Sequence, residues 1–148
     1  VTMEYPKQWL VAIDKSDNSS KALDYAATMY ASLAGKPNVV LIHVIQDITH
    51  TQSIDPKHAK NLEKDRARHL LKESFEKFKD IAGSADNVSK MLLIGNPRKM
   101  IVEIARSNGT DHIIMGGHDF KWDISKIMKG DVSNYVLHHM DCIITIIN

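Results

Sequence analysis

Two glycine-containing stretches in the last third of the chain have the residue types that bind phosphate. The first is Gly116-Gly117, directly after the strand-like run 111–115, and the second is the segment 130–133, which begins with Gly130. An apolar strand that ends in glycine presents backbone amides to a ligand in open α/β sheets, and a helix start adds the positive end of its dipole. The pattern therefore predicts an anion-binding site formed by loops. The negative charges of Asp119 and Asp131 in the same segment would repel a bound anion.

Other polar residues could support catalysis or bind a metal, but their spacing argues against both. His118-Asp119 resembles an acid–base pair, yet no third and fourth ligands follow at a recognisable spacing, which favours solvated loop residues. Asp14, Asp119 and Asp131 belong to three loops, and we interpret them as independent rather than as a Mg²⁺ site. Ser16 and Ser133 lack the Gly-x-Ser-x-Gly motif of a nucleophile. We therefore expect no catalytic residue, no resident metal and no enzyme activity.

Length and composition indicate one globular domain over residues 1–148. The 19 Lys and Arg residues nearly balance the 18 Asp and Glu residues, giving a formal charge of +1. This balance does not favour a nucleic-acid or membrane-surface partner. No apolar run approaches the roughly 20 residues that span a bilayer, and Cys142 is the single cysteine. We expect a cytoplasmic protein without disulfides.

The hydrophobic pattern predicts five buried strands that alternate with four helices. Such alternation favours a parallel sheet with helices on both faces, and leaves the strand order open. Gly35 is expected to end the first helix in a left-handed conformation, and the third strand suits a sheet edge. A gap between Leu62 and Leu70 in the apolar stripe of the second helix indicates less buried first turns. The predicted strands are 8–14, 39–45, 88–94, 111–116 and 142–148, and the last three helices are 55–82, 97–107 and 131–139.

The chain is similar to the universal stress protein family along nearly its whole length. The residues that carry this resemblance are 10–16, 20–23, 41–45, 95–97, 101–105, 111–118 and 142–147. The resemblance implies a Rossmann-like fold of the adenine nucleotide alpha hydrolase type, with strand order 3-2-1-4-5. It also implies a homodimer through the terminal strand 142–148 and a role in stress tolerance rather than a defined reaction. We further expect the protein to act through contact with an unknown protein partner.

Members of this family that bind ATP carry Gly, two residues, Gly, nine residues, Gly, and then Ser or Thr. This chain has Gly116, but Asp119 stands at the second glycine position. Ten residues then precede Gly130, one more than the motif allows, and Asp131 replaces the Ser or Thr. The family's pocket positions correspond here to Ala12, Asp14, Val44, Met115, Gly116, Gly130, Val132 and Ser133.

The two aspartates oppose a bound phosphate more strongly than the helix start attracts it. A helix N-terminus favours an anion by roughly 0.3–1 kcal/mol. A carboxylate about 4 Å from a phosphate charge opposes it by about 1 kcal/mol in water and about 4 kcal/mol at an effective dielectric constant of about 20. Asp131 could also occupy the helix-start amides as an N-cap.

We therefore expect a non-enzymatic, dimeric stress-response protein in which ATP, with or without Mg²⁺, binds weakly or not at all. The alternative is a stress switch that binds ATP or AMP and hydrolyses ATP slowly or not at all. A hydrolase or transferase on the same scaffold would need a positioned nucleophile or metal.

Overall fold

The computed structural model describes residues 4–46, 56–117 and 132–148, and within them strands and helices alternate along the chain. The strands are β1 (Gln8–Ala12), β2 (Asn38–Gln46), β3 (Val88–Gly95), β4 (His112–Gly116) and β5 (Ile143–Ile147). The helices are α1 (Asp17–Ser32), α2 (Pro56–Ala82), α3 (Pro97–Ser107) and α4 (Val132–His139). No helix of this described part is both long and apolar enough to cross a membrane.

The five strands form one parallel sheet in the order β3-β2-β1-β4-β5. In the centre, Val11 of β1 lies between Leu41 of β2 and Ile114 of β4. All three side chains are fully buried, as expected for strands that are covered on both faces. The predicted fold class and strand order are confirmed, and β3 is an edge strand as its polar residues indicated.

The helices cover the sheet on both faces and create two apolar cores. Under α1 and α2, Tyr30 packs edge-on against Phe78, with the ring centroids 5.2 Å apart. Under α3 and α4, Val102 and Val136 pack against Ile113. The sheet lies between the two cores, and the predicted ligand site is at the ends of its strands β1 and β4.

The end of α1 differs from the prediction for Gly35. Gly35 has no positive φ, whereas Gly83 and Gly109, which follow α2 and α3, have φ values of 80° and 63°. At the end of α1, the Lys36 ammonium donates hydrogen bonds to the carbonyls of Tyr30 (2.7 Å) and Ala31 (3.2 Å). A lysine side chain therefore satisfies the last carbonyls of α1 in place of a left-handed glycine.

The apolar stripe of α2 also differs in one residue from the sequence interpretation. Ala67 lies inside the gap between Leu62 and Leu70 and is buried at 3% exposure, whereas Leu62 is 43% exposed. Among residues 60–82 of α2, the first buried side chain is therefore that of Ala67.

A buried histidine links the central sheet to the edge strand β5. The Nε2 atom of His112 lies 2.8 Å from the Thr145 hydroxyl oxygen. Its ring meets Trp9 edge-on, with 5.1 Å between the ring centroids. The Nδ1 atom is buried without a hydrogen-bond partner among the described residues. Burial lowers the pKa of His112 below its ordinary value of 6.5, and the neighbouring Asp111 carboxylate opposes this shift with a smaller effect.

We predict that acidification below the ordinary histidine pKa destabilises the fold through His112. Because the native pKa is lower than the unfolded pKa of about 6.5, the unfolded state binds the proton more readily. The contribution of His112 is therefore complete above about pH 6.5 and decreases as the pH falls. Urea unfolding at pH 7.5 and pH 5.5 measures it. His112→Gln should reduce the loss of free energy of unfolding between these pH values, and an unchanged loss would contradict the prediction.

Candidate functional site

The turn after β1 is held by a set of short hydrogen bonds. The exposed Asp14 carboxylate accepts a hydrogen bond from the Ser16 amide (2.7 Å), and the Asp14 amide donates to the Ser19 hydroxyl (2.9 Å). Ser16 is the N-cap of α1, and its hydroxyl accepts a hydrogen bond from the Ser19 amide (3.1 Å). Asp14 therefore has a structural role in this turn besides any role toward a ligand.

The apolar residues that were predicted to line a nucleotide pocket lie on one face of the sheet. Met115 is buried in the core under α3 and α4, and Ala12, Val44 and Val132 pack against that core. Ser133 is buried at 5% exposure in the first turn of α4. The structure thus gathers these positions on the α3–α4 side of the sheet, and their binding of a ligand stays a prediction.

Three residues of the predicted phosphate loop lie outside the described residues. These are Gly130, which is a predicted pocket residue, and the two opposing acids Asp119 and Asp131. The geometry of the site is therefore built from the ends of β1, β2 and β4 and from the starts of α1 and α4.

Gly116 is required by the close packing of α1 against the end of β4. A Cβ atom at Gly116 would lie 2.6 Å from the backbone carbonyl carbon of Asn18 and 2.6 Å from the Ser19 amide nitrogen. These atoms belong to the first turn of α1, which is already held by its N-cap. The glycine that the sequence assigns to a phosphate loop therefore has a packing function that is independent of phosphate.

Both backbone polar groups of Gly117 have hydrogen-bond partners within the protein. Its amide donates to the Ile147 carbonyl at 2.7 Å, which extends the pairing of β4 with β5. Its carbonyl accepts a hydrogen bond from the Asn18 side chain at 2.9 Å. A phosphate-binding loop would use the Gly117 amide, which follows β4, but this amide already donates its hydrogen bond to the Ile147 carbonyl.

Asn18 is the residue that the sequence interpretation missed. It lies 99 positions from Gly117 along the chain, and its polar neighbours 14–20 indicated only a loop with helix-capping residues. An amide side chain in the first turn of a helix gives no sequence signal of a distant backbone partner. The cluster was interpreted as a loop with capping residues ahead of a helix, whereas α1 already begins inside it, at Asp17, and its tertiary contact could not be predicted.

The histidines near the site are used in structural hydrogen bonds. The ring of His43 donates a hydrogen bond from Nδ1 to the Ile13 carbonyl at 2.7 Å. His138 and His139 contact backbone carbonyls one turn earlier, both at 2.8 Å. Among residues 4–46, 56–117 and 132–148, no group of three or more His, Cys, Asp or Glu side chains could hold a metal ion.

Cys142, which directly precedes β5, is a partly buried free thiol. Burial raises the pKa of Cys142, and the carboxylates of Asp111 and Asp141 raise it further, while a backbone hydrogen bond from Ile113 opposes them. A thiol with a raised pKa is less often a thiolate near neutral pH. This environment makes Cys142 a weak nucleophile near neutral pH.

Comparison with known proteins gives one consistent result over nearly the whole chain. A sequence model of the universal stress protein family matches residues 7–148. The universal stress protein Slr1101 of Synechocystis is 38% identical over 55 residues, which are 37% of this chain and 50% of that protein. The aligned part thus spans half the length of this curated relative.

Two solved structures have the same fold over almost their full lengths. The universal stress protein UspA of Lactobacillus plantarum has a TM-score of 0.76 at 21% identity, covering 99% of this chain and 100% of that one. A universal stress protein crystallised in complex with cAMP has a TM-score of 0.72 at 21% identity, covering 97% of both chains. At these identities the structures establish a shared fold.

Proposed function

This chain belongs to the universal stress protein family, and from that premise we propose that it is a non-enzymatic stress-response protein with weak or absent ATP binding. In this proposal it acts as a homodimer and through contacts with another protein. The family match covers residues 7–148. The segment with the altered phosphate motif, 116–131, therefore lies inside the matched region.

The observation that carries the proposal is that Gly116 and Gly117 are both needed for contacts within the protein. Gly116 accommodates the first turn of α1, and the Gly117 amide donates to the Ile147 carbonyl. A phosphate at this position would have to replace a 2.7 Å backbone hydrogen bond, and the sequence motif that would bind it carries Asp119 and Asp131 in place of glycine and of serine or threonine. Calorimetric titration with Mg²⁺ and ATP tests the proposal, and we expect weak or undetectable binding.

The dimer part of the proposal is supported by the exposed edge of the sheet. β5 is an edge strand, and its first residue, Ile143, is 51% exposed. An apolar edge strand with unpaired backbone groups favours association with another chain. A second copy of this chain, related by a twofold axis, would pair the two edges in a closed interface.

We predict that replacing an apolar residue of β5 by a charged one converts the dimer to a monomer. Ile143→Lys places an ammonium group on the proposed interface, where its desolvation opposes association. Sedimentation velocity at micromolar concentration measures the change. Ile81→Lys is the matched control, because Ile81 is similarly exposed at 39% but lies on α2. A native protein that sediments as a monomer would contradict the dimer.

The alternative function is a stress switch that binds ATP or AMP. It is favoured by the apolar face formed by Ala12, Val44 and Met115 and by the exposed carboxylate of Asp14, two residues after the end of β1. The relative that was crystallised with cAMP has the same fold. If the switch is correct, the native protein binds nucleotide and Asp14→Ala abolishes that binding while the fold is retained.

A further inference from the structure

The edge strand β5 is weakly anchored to the sheet. None of its five residues is fully buried, whereas four of the five residues of β4 are. It pairs with β4 over five positions and has no strand on its other side, while the opposite edge strand, β3, pairs over eight positions. Parts of a native protein that bury few side chains open locally at the lowest free energies. Local separation is therefore easier for β5 than for the buried central strands.

A side-chain hydrogen bond adds to the pairing of β5. The Nε2 atom of His112, on β4, lies 2.8 Å from the hydroxyl oxygen of Thr145. Thr145 is the one polar residue of β5 and stands between two pairs of isoleucines. Alternation along the strand puts it on the same face as Ile147, which packs against the core under α1 and α2. We call the contact between His112 and Thr145 the β5 latch.

The environment of the latch suits a neutral ring. His112 is only 4% exposed, and its Nδ1 atom is buried without a hydrogen-bond partner among the described residues. If Nε2 donates to Thr145, Nδ1 of the neutral ring carries a lone pair. Protonation would place an N–H group and a positive charge at this buried position, where both are strongly disfavoured. The protonated ring therefore needs water, and separation of β5 from β4 would admit it.

The titratable groups around the ring do not remove this cost. Neither β1 nor β5 contains a titratable side chain, and Tyr30 is the buried titratable residue of α1 in the core on this side. Asp141 and Cys142 precede β5, and the Asp111 carboxylate accepts hydrogen bonds from two backbone amides at the start of β1. Of these groups, Asp111 raises the pKa of His112, but burial lowers it more.

We propose that the β5 latch is acid-sensitive, so that protonation of His112 releases β5 from β4 and thereby dissociates the homodimer. The dissociation step rests on the proposed function, because β5 is the proposed dimer interface. The release step does not depend on it.

The direction and the limit of the effect follow from proton linkage. The released ring binds its proton with an ordinary pKa of about 6.5, so the latch is complete above about pH 6.5 and weakens as the pH falls. Between pH 7.5 and pH 5.5 the equilibrium for release can rise by up to about tenfold in each subunit. Because a dimer contains two latches, its dissociation constant can rise by up to about 100-fold.

Amide hydrogen exchange of the full native chain at pH 7.5 and pH 5.5 tests the release step. Protection factors, which correct for the intrinsic exchange rate, should be lower in β5 than in β1 and nearly independent of low urea concentrations, as expected for local opening. Those of β5 should fall several-fold at pH 5.5. Equal protection of β5 and β1 at both pH values would overturn the proposal, and so would a β5 protection that does not change with pH.

Sedimentation velocity of the same protein at the two pH values tests the dissociation step. The dissociation constant of the dimer should rise at least about tenfold at pH 5.5. A dimer with the same dissociation constant at both pH values would overturn this step. A native protein that is already a monomer at pH 7.5 would contradict the proposed dimer, and hydrogen exchange would then decide the release step alone.

Two histidine variants separate the latch from general effects of acid. His112→Gln keeps an amide that can bind the Thr145 hydroxyl but cannot be protonated, so the acid effects on exchange and on the dimer should disappear. His138→Gln is the control, because His138 is an exposed histidine of α4, and it should leave both effects unchanged. Equal acid effects in the two variants would overturn the proposal.

A third variant tests the latch from the side of β5, and remains informative if His112→Gln does not fold. Thr145→Val keeps the shape of the side chain but removes the hydroxyl that lies 2.8 Å from Nε2. It should lower the protection of the β5 amides at pH 7.5 by several-fold more than that of the β1 amides. Unchanged protection of β5 in this variant would mean that the hydroxyl does not hold the strand, and would overturn the proposal.

Discussion

Gly116→Ala is expected to destabilise the protein by about 3 kcal/mol, the upper part of the range for adding a methyl group to a packed interior. The added Cβ would lie 2.6 Å from two backbone atoms of Asn18 and Ser19. Backbone cannot move aside as a flexible side chain can, and this turn is held by the Ser16 cap and by the Asn18–Gly117 hydrogen bond. For a domain of this size the loss corresponds to a decrease in melting temperature of roughly 6–12 °C.

Gly35→Ala is the matched control for this prediction. No heavy atom outside its immediate neighbours lies within 4 Å of a Cβ built at Gly35, and its φ is not positive. The substitution should therefore leave the melting temperature unchanged or raise it slightly, because alanine restricts the unfolded chain. Equal melting temperatures for Gly116→Ala and Gly35→Ala would show that α1 does not pack on β4 as described.

Restoring the family's phosphate motif is expected to strengthen ATP binding by at least about tenfold. The variant combines Asp119→Gly and Asp131→Ser with removal of one residue from 120–129. It removes two carboxylates and returns the spacing between the second and third motif positions to nine residues. Calorimetric titration of native and restored proteins with Mg²⁺ and ATP measures the gain.

A charge-matched control is available for the restored loop. Asp65→Asn with Asp80→Asn removes two exposed carboxylates from α2, far from the loop in sequence, and should not change the affinity for ATP. If the restored loop binds ATP no better than the native chain does, the three departures from the motif are not what limits binding. If the control gains as much as the restored loop, overall charge is responsible.

Much of the fold could be predicted because local patterns and the final packing agree. Asn96 followed by Pro97 is both an N-cap signal and the observed start of α3, and the helix ends at Ser107 as predicted. Periodicity alone could not provide the strand order, since the order depends on contacts between distant segments. The order came from the family resemblance, and the structure confirms it.

The parts that were wrong or missed depend on hydrogen bonds from side chains to backbone carbonyls, which residue patterns do not reveal. Lys36 replaces Gly35 in closing α1, because a long flexible side chain can satisfy carbonyls that a local pattern assigns to glycine. Asn18 binds Gly117, 99 residues away. In the candidate site, the structure gathers the apolar positions on one face, while the structural use of Gly116 required three-dimensional packing to be seen.

The most direct test of weak nucleotide binding is calorimetric titration of the native chain with ATP in the presence of Mg²⁺, repeated with AMP. We expect a dissociation constant above about 100 µM, or no measurable heat, for both nucleotides. A dissociation constant near 1 µM, which corresponds to a binding free energy of about −8 kcal/mol, would contradict the proposed function. If Asp14→Ala also abolished that binding, the nucleotide-responsive switch would replace it.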